Sequence, residues 1–283
     1  MAKGKALVTG AQGQLGQDLV AALTKLGYEV KGCGRAELDI TNYEETKAII
    51  YGFRPDVIVH AAAYTKVDQA ETDQETAYQV NAYGSRNLAV VAENAGAKLV
   101  YVSTDYVFNG QGTEPYDEFQ PTMPINVYGR TKLAGEQFAQ QFCSKHFIVR
   151  TSWVYGPNGA NFVKTMLKLA DERDTISVVS DQVGCPTFTH DLVDTICNLV
   201  ETEKYGLYHV SNAGHCSWYE FAQAIFELAG KPVTVEPVGT DQFPRPAKRP
   251  SYSVFDHKAL AYNGFPPMRH WKDALAEFIR NYA

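Results

Sequence analysis

Cysteine is scarce and scattered: the 283 residues hold five, Cys33, Cys143, Cys185, Cys197 and Cys216, an odd number with no C-x-x-C spacing. That argues against both a disulfide framework and a thiolate zinc site. The seven histidines are equally dispersed, so no resident metal is expected. No apolar run approaches the ~20 residues of a membrane-spanning helix. The opening MAKGKALVTG passes straight into a strand pattern, with no signal-type apolar region. Charge of one sign is lacking too. A net charge of −6 gives no basic footprint for nucleic acid or an anionic membrane. Linkers, repeats and low-complexity segments are absent. These absences lead us to expect a cytoplasmic chain with neither nucleic acid nor a membrane among its partners. An anionic ligand would be held by local cations and helix ends.

What is present is alternation. KALVTG, YEVKGCG, PDVIVHAAA, KLVYVSTDYVF and HFIVRTSWVYG read as strands. Between them QLGQDLVAALTKLG, NYEETKAIIYGF, QETAYQVNAYGSRNLAVVAENAG and YGRTKLAGEQFAQQF read as helices. Strands apolar throughout, each followed by a helix, imply an α/β fold with a doubly wound parallel sheet covered on both faces. Ligands of such sheets sit beyond the carboxyl ends of the strands. After Gly156 the rhythm breaks into NFVKTMLKLADERD, ISVVSD, CSWYEFAQAIFELAG and VTVEPV, with GLYHVSN as a further sheet strand. The division expected is a sheet domain at 1–156, with returning segments at about 189–212 and 253–262. A smaller α+β substrate-binding lobe takes 157–188 and 213–252, followed by a C-terminal amphipathic helix at 270–283.

Four clusters fall at predicted strand ends. TGAQGQLG puts Gly10, Gly13 and Gly16 directly after a strand and at the opening of a helix. That context suits a dinucleotide: Gly10 for the tight turn, Gly13 for close approach of a pyrophosphate, Gly16 for helix–sheet packing. The helix N-terminus adds N–H donors and a positive dipole end. The second strand ends GCGR, without the acid that would accept the 2′-hydroxyl of NADH. Arg35 there favours the 2′-phosphate of NADPH, with NADH still possible, though an arginine at a strand end is often only solvated. In LDIT, Asp39 and Ile40 suit an adenine, while Asp39 or Thr41 equally suits a helix cap. HAAAYT, with Ala61, Ala62 and Ala63, lets a ribose or pyrophosphate lie against the backbone.

The fourth cluster carries the chemistry. NVYGRTKLAGE sets Tyr128 and Lys132 at i and i+4, on one helical face. A Tyr-x-x-x-Lys pair alone also suits a half-buried phenol beside a solvated amine. STDYVF, however, ends the preceding strand with Thr104, Asp105 and Tyr106. Thr104, Tyr128 and Lys132 are then a hydrogen-bond donor, an acid and a cation converging on one oxygen. Carbonyl reduction needs that set, because hydride addition to a ketone leaves an alkoxide that must gain a proton. Free tyrosine titrates near 10, and lowering that by about 3 takes about 4 kcal/mol, reasonable for a close ammonium. Lys132 can also bind the nicotinamide ribose, and Thr104 the developing oxyanion.

Together TGAQGQLG, STDYVF, NVYGRTKLAGE, RTSWVYG, DQVGCPT and RPSYS resemble the dTDP-4-dehydrorhamnose reductase family of extended short-chain dehydrogenases/reductases, from the first strand to the terminal helix. The resemblance implies a Rossmann-type sheet and reduction by NADPH or NADH of the 4-keto group of dTDP-6-deoxy-L-lyxo-4-hexulose, giving dTDP-L-rhamnose. It implies that Gly13, Gln14 and Leu15, with Gln12 in the same turn, meet the pyrophosphate. Asp39 and Ile40 would meet the adenine, and Ala63, Tyr64 and Thr65 the ribose side. Tyr128 would donate the proton with Lys132 as its partner. Thr104, Asp105, Tyr106 and Trp153 would contact the sugar, Gln182 the nucleotide and Arg249 the diphosphate. Some members dimerise through a magnesium site of glutamates. The terminal WKDALAEFIRNYA does not match that pattern, so no metal is expected, and a monomer or a homodimer fits. Two other activities share much of this pattern. A nucleotide-sugar epimerase or dehydratase is one, for which Asp105 or Glu136 would supply an acid. A non-catalytic regulatory subunit of the methionine adenosyltransferase type is the other.

Overall fold

Alternation of buried strand and covering helix accounts for most of the architecture in the computed structural model, which describes residues 3–283. The chain begins β1 (Gly4–Thr9), α1 (Gln14–Lys25), β2 (Tyr28–Cys33), α2 (Tyr43–Phe53) and β3 (Val57–His60). Two short helices, α3 (Val67–Ala70) and α4 (Gln74–Tyr78), a π-helical turn at Gln79–Gly84 and α5 (Ser85–Ala95) lead to β4 (Lys98–Thr104). Next come α6 (Val127–Phe142), β5 (His146–Thr151), β6 (Val154–Tyr155), α7 (Phe162–Ala170) and β7 (Thr175–Val179). The remaining elements are β8 (Val183–Gly184), β9 (Thr187–Phe188), α8 (Thr189–Val200), β10 (Gly206–His209) and β11 (Cys216–Ser217). The chain ends with α9 (Trp218–Ala229), β12 (Thr234–Val238), α10 (Lys258–Tyr262) and α11 (Trp271–Tyr282).

Six of the strands form one parallel sheet in the order β2-β1-β3-β4-β5-β10. Successive residues go to opposite faces. Ala6, Val8, Val59 and Val149 pack against Leu19, Leu23, Leu192 and Ile196 of α1 and α8. Leu7, Ile58, Leu99 and Ile148 pack against Ile50, Leu88, Val91 and Ala139 of α2, α5 and α6. Over β1, β3, β4 and β5 both faces are dry, which is why those strands read as apolar runs, whereas the edge strand β2 alternates. Strand order reverses between β1 and β3, so the ligand crevice opens at Thr9–Gly10 and His60–Ala61. The smaller pairings, β7 with β12, β8 with β11 and β6 with β9, belong to the second half. There Tyr155, Phe188, Phe221, Trp271 and Phe278 form a separate aromatic core.

Three local features depart from the sequence reading. The long helical run from Gln74 is broken at Gln79–Gly84, where the π-helical turn accommodates Asn81. The Asn81 carbonyl accepts from the Ser85 hydroxyl at 2.7 Å, and its side-chain amide reaches the Tyr64 carbonyl and Thr131. β4 stops at Thr104 and turns through a 3-10 helix at Asp105–Val107, so STDYVF is half strand and half turn. The cap of α2 is Asn42, accepting from the Glu45 amide at 3.2 Å, while Asp39 accepts from the amide and hydroxyl of Thr41. Asn42→Ala should cost about 1 kcal/mol, read as a lower urea midpoint at unchanged slope. An unmoved midpoint would show that the cap contributes nothing. No helix among the described residues is long and apolar enough to cross a membrane.

Candidate active site

The glycine turn is dictated by contact. Gly10 has φ +67°, and a β-carbon there would lie 2.7 Å from the Ala62 amide nitrogen. A β-carbon on Gly16 would collide with the Gly10 carbonyl. Gly13 has ordinary backbone angles and donates to the Gly10 carbonyl at 2.9 Å. No side chain caps α1, so its first-turn N–H groups face the crevice as anion donors. Gln14 is turned away: its amide nitrogen donates to the Val154 carbonyl at 3.1 Å and its oxygen accepts from Asn161 at 2.8 Å. Leu15 packs beside the core on the α1 face.

Beyond β2 the structure brings in an acid that the sequence reading did not consider. Glu37 returns from the turn after β2, and its carboxylate accepts from the Gly34 amide at 2.8 Å and from Gln12 at 3.5 Å. GCGR has no acid, but the chain brings one back three residues beyond Gly34. Arg35 is exposed on the same turn. The Thr41 bonds hold the Asp39 carboxyl below its ordinary range. Ile40 is buried against Gly84, where a β-carbon would sit 2.8 Å from the isoleucine side chain.

Ala61, Ala62 and Ala63 follow β3 as half-buried irregular chain. Behind them His60 bonds the Thr9 hydroxyl at 2.8 Å and the Ser85 hydroxyl at 2.9 Å, and burial pushes it down to about 3, so it is neutral. Asn81 accepts from the Tyr64 amide at 2.8 Å and bonds Thr131 of α6 at 3.0 Å. It therefore ties the alanine segment to the tyrosine–lysine helix. The only hint of it in the sequence was a carboxamide inside an otherwise apolar helical face.

Asn126 starts α6, its side chain accepting from the Gly129 amide at 2.7 Å. Tyr128 and Lys132 project from one face of that helix, over the carboxyl end of β4. Burial pushes the Tyr128 phenol up to about 12; the Thr104 hydroxyl opposes this and the Asp105 charge adds to it. Lys132 donates to the Val102 carbonyl at 2.6 Å and lies 4.2 Å from the centre of the Tyr101 ring. Burial pulls its amine down to about 7, with Glu136 opposing. The sequence reading had the ammonium lowering the phenol. Here desolvation dominates at both groups, and the amine faces a carbonyl and a ring.

Thr104 has one proton and directs it to Asp105 at 3.0 Å, while accepting from the Tyr106 amide at 3.2 Å. Donation to a substrate oxygen therefore requires its hydroxyl to turn from Asp105. Burial raises the Asp105 carboxyl to about 6 against bonds from Ser253, at 2.7 Å, and Thr104. The Tyr106 ring meets Tyr128 edge-on, with centres 5.6 Å apart. Glu136 belongs elsewhere. It is buried and forked by Arg150 at 2.9 and 2.7 Å, with the Ser103 hydroxyl on the same carboxylate. That removes it as the acid of a dehydratase.

Trp153 lies two residues past Thr151, the register partner of Thr104. Its φ of +47° is rare for a bulky side chain and marks a turn held by its surroundings. The indole stacks on Trp218 at 3.6 Å, and Gly184 leaves no room for a β-carbon against it. Gln182 donates to Thr240 at 2.9 Å, within the second half. Arg249 forks Asp68, so its guanidinium already has a carboxylate partner. Among the described residues no group of three or more His, Cys, Asp or Glu is arranged to hold a metal ion.

A parallel sheet with a glycine turn at its switch point and a tyrosine–lysine helix beside it define a Rossmann-type member of the extended short-chain dehydrogenases/reductases. The chain belongs to the family of the RmlD substrate binding domain, whose model matches residues 4–283. It is 50% identical to dTDP-4-dehydrorhamnose reductase from Bacillus anthracis, solved in complex with NADP, with a TM-score of 0.97 and 99% of each chain covered. It is 44% identical to spore coat polysaccharide biosynthesis protein SpsK of Bacillus subtilis, over 98% of this chain and 97% of that protein. Against dTDP-4-dehydrorhamnose reductase of Streptomyces griseus the identity is 43%, over 96% of this chain and 91% of the relative.

Proposed function

We propose that this chain reduces the 4-keto group of dTDP-6-deoxy-L-lyxo-4-hexulose to give dTDP-L-rhamnose, with NADPH preferred and NADH usable. The observation that carries the reading is Tyr128 and Lys132 on one face of α6 beside the carboxyl end of β4, which Thr104 ends, with Lys132 donating to the Val102 carbonyl of that strand at 2.6 Å. The location that fits is the cytoplasm, as a monomer or homodimer. The residues suit the cofactor: uncapped α1 N–H groups face the pyrophosphate side, and the glycines and alanines leave the backbone open. What NADPH supplies when bound is the hydride. Tyr128 gives its phenolic proton to the alkoxide oxygen, so hydride and proton together convert C=O to CH–OH. Lys132 binds the ribose hydroxyls and, once charged, favours the phenolate left behind. Thr104 turns its hydroxyl to the same oxygen. Trp153 covers the apolar face of the sugar, and Arg249 meets the diphosphate.

The test is loss of reduced-nicotinamide absorbance when the purified protein meets that keto sugar nucleotide, with NADPH and NADH in parallel. Rapid loss is expected. No loss, with both ligands shown to bind, would overturn the reductase reading in favour of a binding role. The same assay reports on Glu37, whose charge opposes a 2′-phosphate that Arg35 attracts. Glu37→Gln should raise the NADPH-to-NADH ratio of kcat/KM by about 5-fold, the scale of one partly exposed charge at ~1 kcal/mol. A ratio unmoved by the substitution would remove Glu37 from cofactor choice.

A further inference from the structure

A carboxylate outside the chemistry holds the segment that borders the site. Asp68, on α3 three residues beyond Thr65, accepts from Arg249 Nη2 at 2.8 Å, from Arg249 Nη1, and from the Ala247 amide at 3.2 Å. Arg249 Nη1 also donates to the Ala247 carbonyl at 2.6 Å. Two further ties hold the same strap. Asn126, the cap of the catalytic helix, donates to the Lys248 carbonyl at 2.8 Å, and Ser253 donates to Asp105 at 2.7 Å. The strap Ala247–Ser253 is thus fastened to the segment after Thr65, to the start of α6 and to the end of β4, the three places that carry the candidate site.

Arg249 has five N–H groups in one plane. Three are engaged by Asp68 and Ala247, on the end of the guanidinium. The other two, on Nε and on the outer side of Nη2, share the remaining edge. Two parallel N–H groups on one edge match a phosphate or diphosphate. The Asp68–Arg249 pair is part-exposed, at 33% and 19%, and such pairs add little to folding stability. Orientation is what the tie supplies.

We propose that Asp68 is a positioning residue for sugar-nucleotide binding: it fixes one end of the Arg249 guanidinium so that the free edge stands ready for the diphosphate. This rests on the reading that Arg249 meets the diphosphate. Electrostatics and positioning predict opposite signs for Asp68→Asn. Removing a negative charge near an anion site would tighten a diphosphate, whereas releasing Arg249 would weaken it.

The experiment is titration calorimetry with dTDP on the full chain and on Asp68→Asn, Asp68→Ser and Arg249→Met. For both Asp68 variants the expected result is a dTDP Kd weaker by about 10-fold, with the NADPH Kd unchanged. In turnover, KM for the sugar nucleotide should rise by a similar factor while kcat stays within about 3-fold. An unchanged or tighter dTDP Kd in either folded Asp68 variant, beside a weakened Arg249→Met, overturns the positioning role and leaves the diphosphate reading standing. Unchanged binding in Arg249→Met overturns the diphosphate reading itself and the positioning role with it.

Discussion

Tyr128→Phe is expected to lower kcat by at least ~10²-fold with little change in KM for either ligand. The substitution deletes one oxygen and keeps the ring, so the edge-on packing against Tyr106 survives. What is lost is the proton that quenches the alkoxide, and a positioned proton donor contributes at least ~10²-fold. That factor corresponds to ~2.7 kcal/mol of transition-state stabilisation. Burial holds the phenol at about 12, so in the ligand-free protein it stays protonated through the neutral range. Tyr128 is therefore loaded before the substrate arrives, and its own ionisation should not limit the rate below about pH 9. Single-turnover reduction by the native and Phe proteins, followed between pH 6 and 9, checks both statements. An unchanged rate in the Phe protein would take Tyr128 out of the proton-donor role.

How much of this was visible beforehand depended on range. The sheet was legible because strands dry on both faces are written as uninterrupted apolar runs, as in VIVH of β3. The glycine turn was legible because Gly10, Gly13 and Gly16 act within one local turn, and Tyr128 and Lys132 because helical spacing puts them on one face. Contacts made at a distance left no such mark. Arg249 meets Asp68 across 181 residues, and Tyr64 meets Asn81 across 17. Sequence alone read Arg249 as a diphosphate contact, with no carboxylate partner, and Asn81 as one residue in a helix. The turn at Trp153 was hidden for another reason. RTSWVYG is an unbroken β-type pattern, and the positive φ accompanies an indole packed on Trp218 and against Gly184, both distant in sequence. Glu37 was hidden because a search confined to the strand end stops before the turn folds back.

Lys132→Met should divide function from stability, losing turnover by at least ~10²-fold while the ligand-free protein becomes no less stable at pH 7. The amine is buried, yet it has a carbonyl at 2.6 Å and a ring face for its charge. Desolvation outweighs both, along with the Glu136 attraction, and pulls the pKa down to about 7 from an ordinary value near 10.4. Between those values the unfolded chain binds more protons than the folded one, so stability rises with pH from about 7 to about 10. Over that window the gain is on the order of 4 kcal/mol, and it should be absent from the Met protein. Urea midpoints at pH 7 and 9.5 for both proteins test this; equal slopes of stability against pH would show that the amine is not desolvated. Turnover should suffer for the opposite reason. On the proposed reading, a buried ammonium that costs stability in the free protein gains its partners from the ribose hydroxyls and the phenolate. Losing charge-assisted hydrogen bonds of that kind, each worth ~1.5–3 kcal/mol, should weaken the NADPH Kd by about 10-fold or more. A Met variant that binds NADPH normally would confine Lys132 to the tyrosine and remove it from the cofactor.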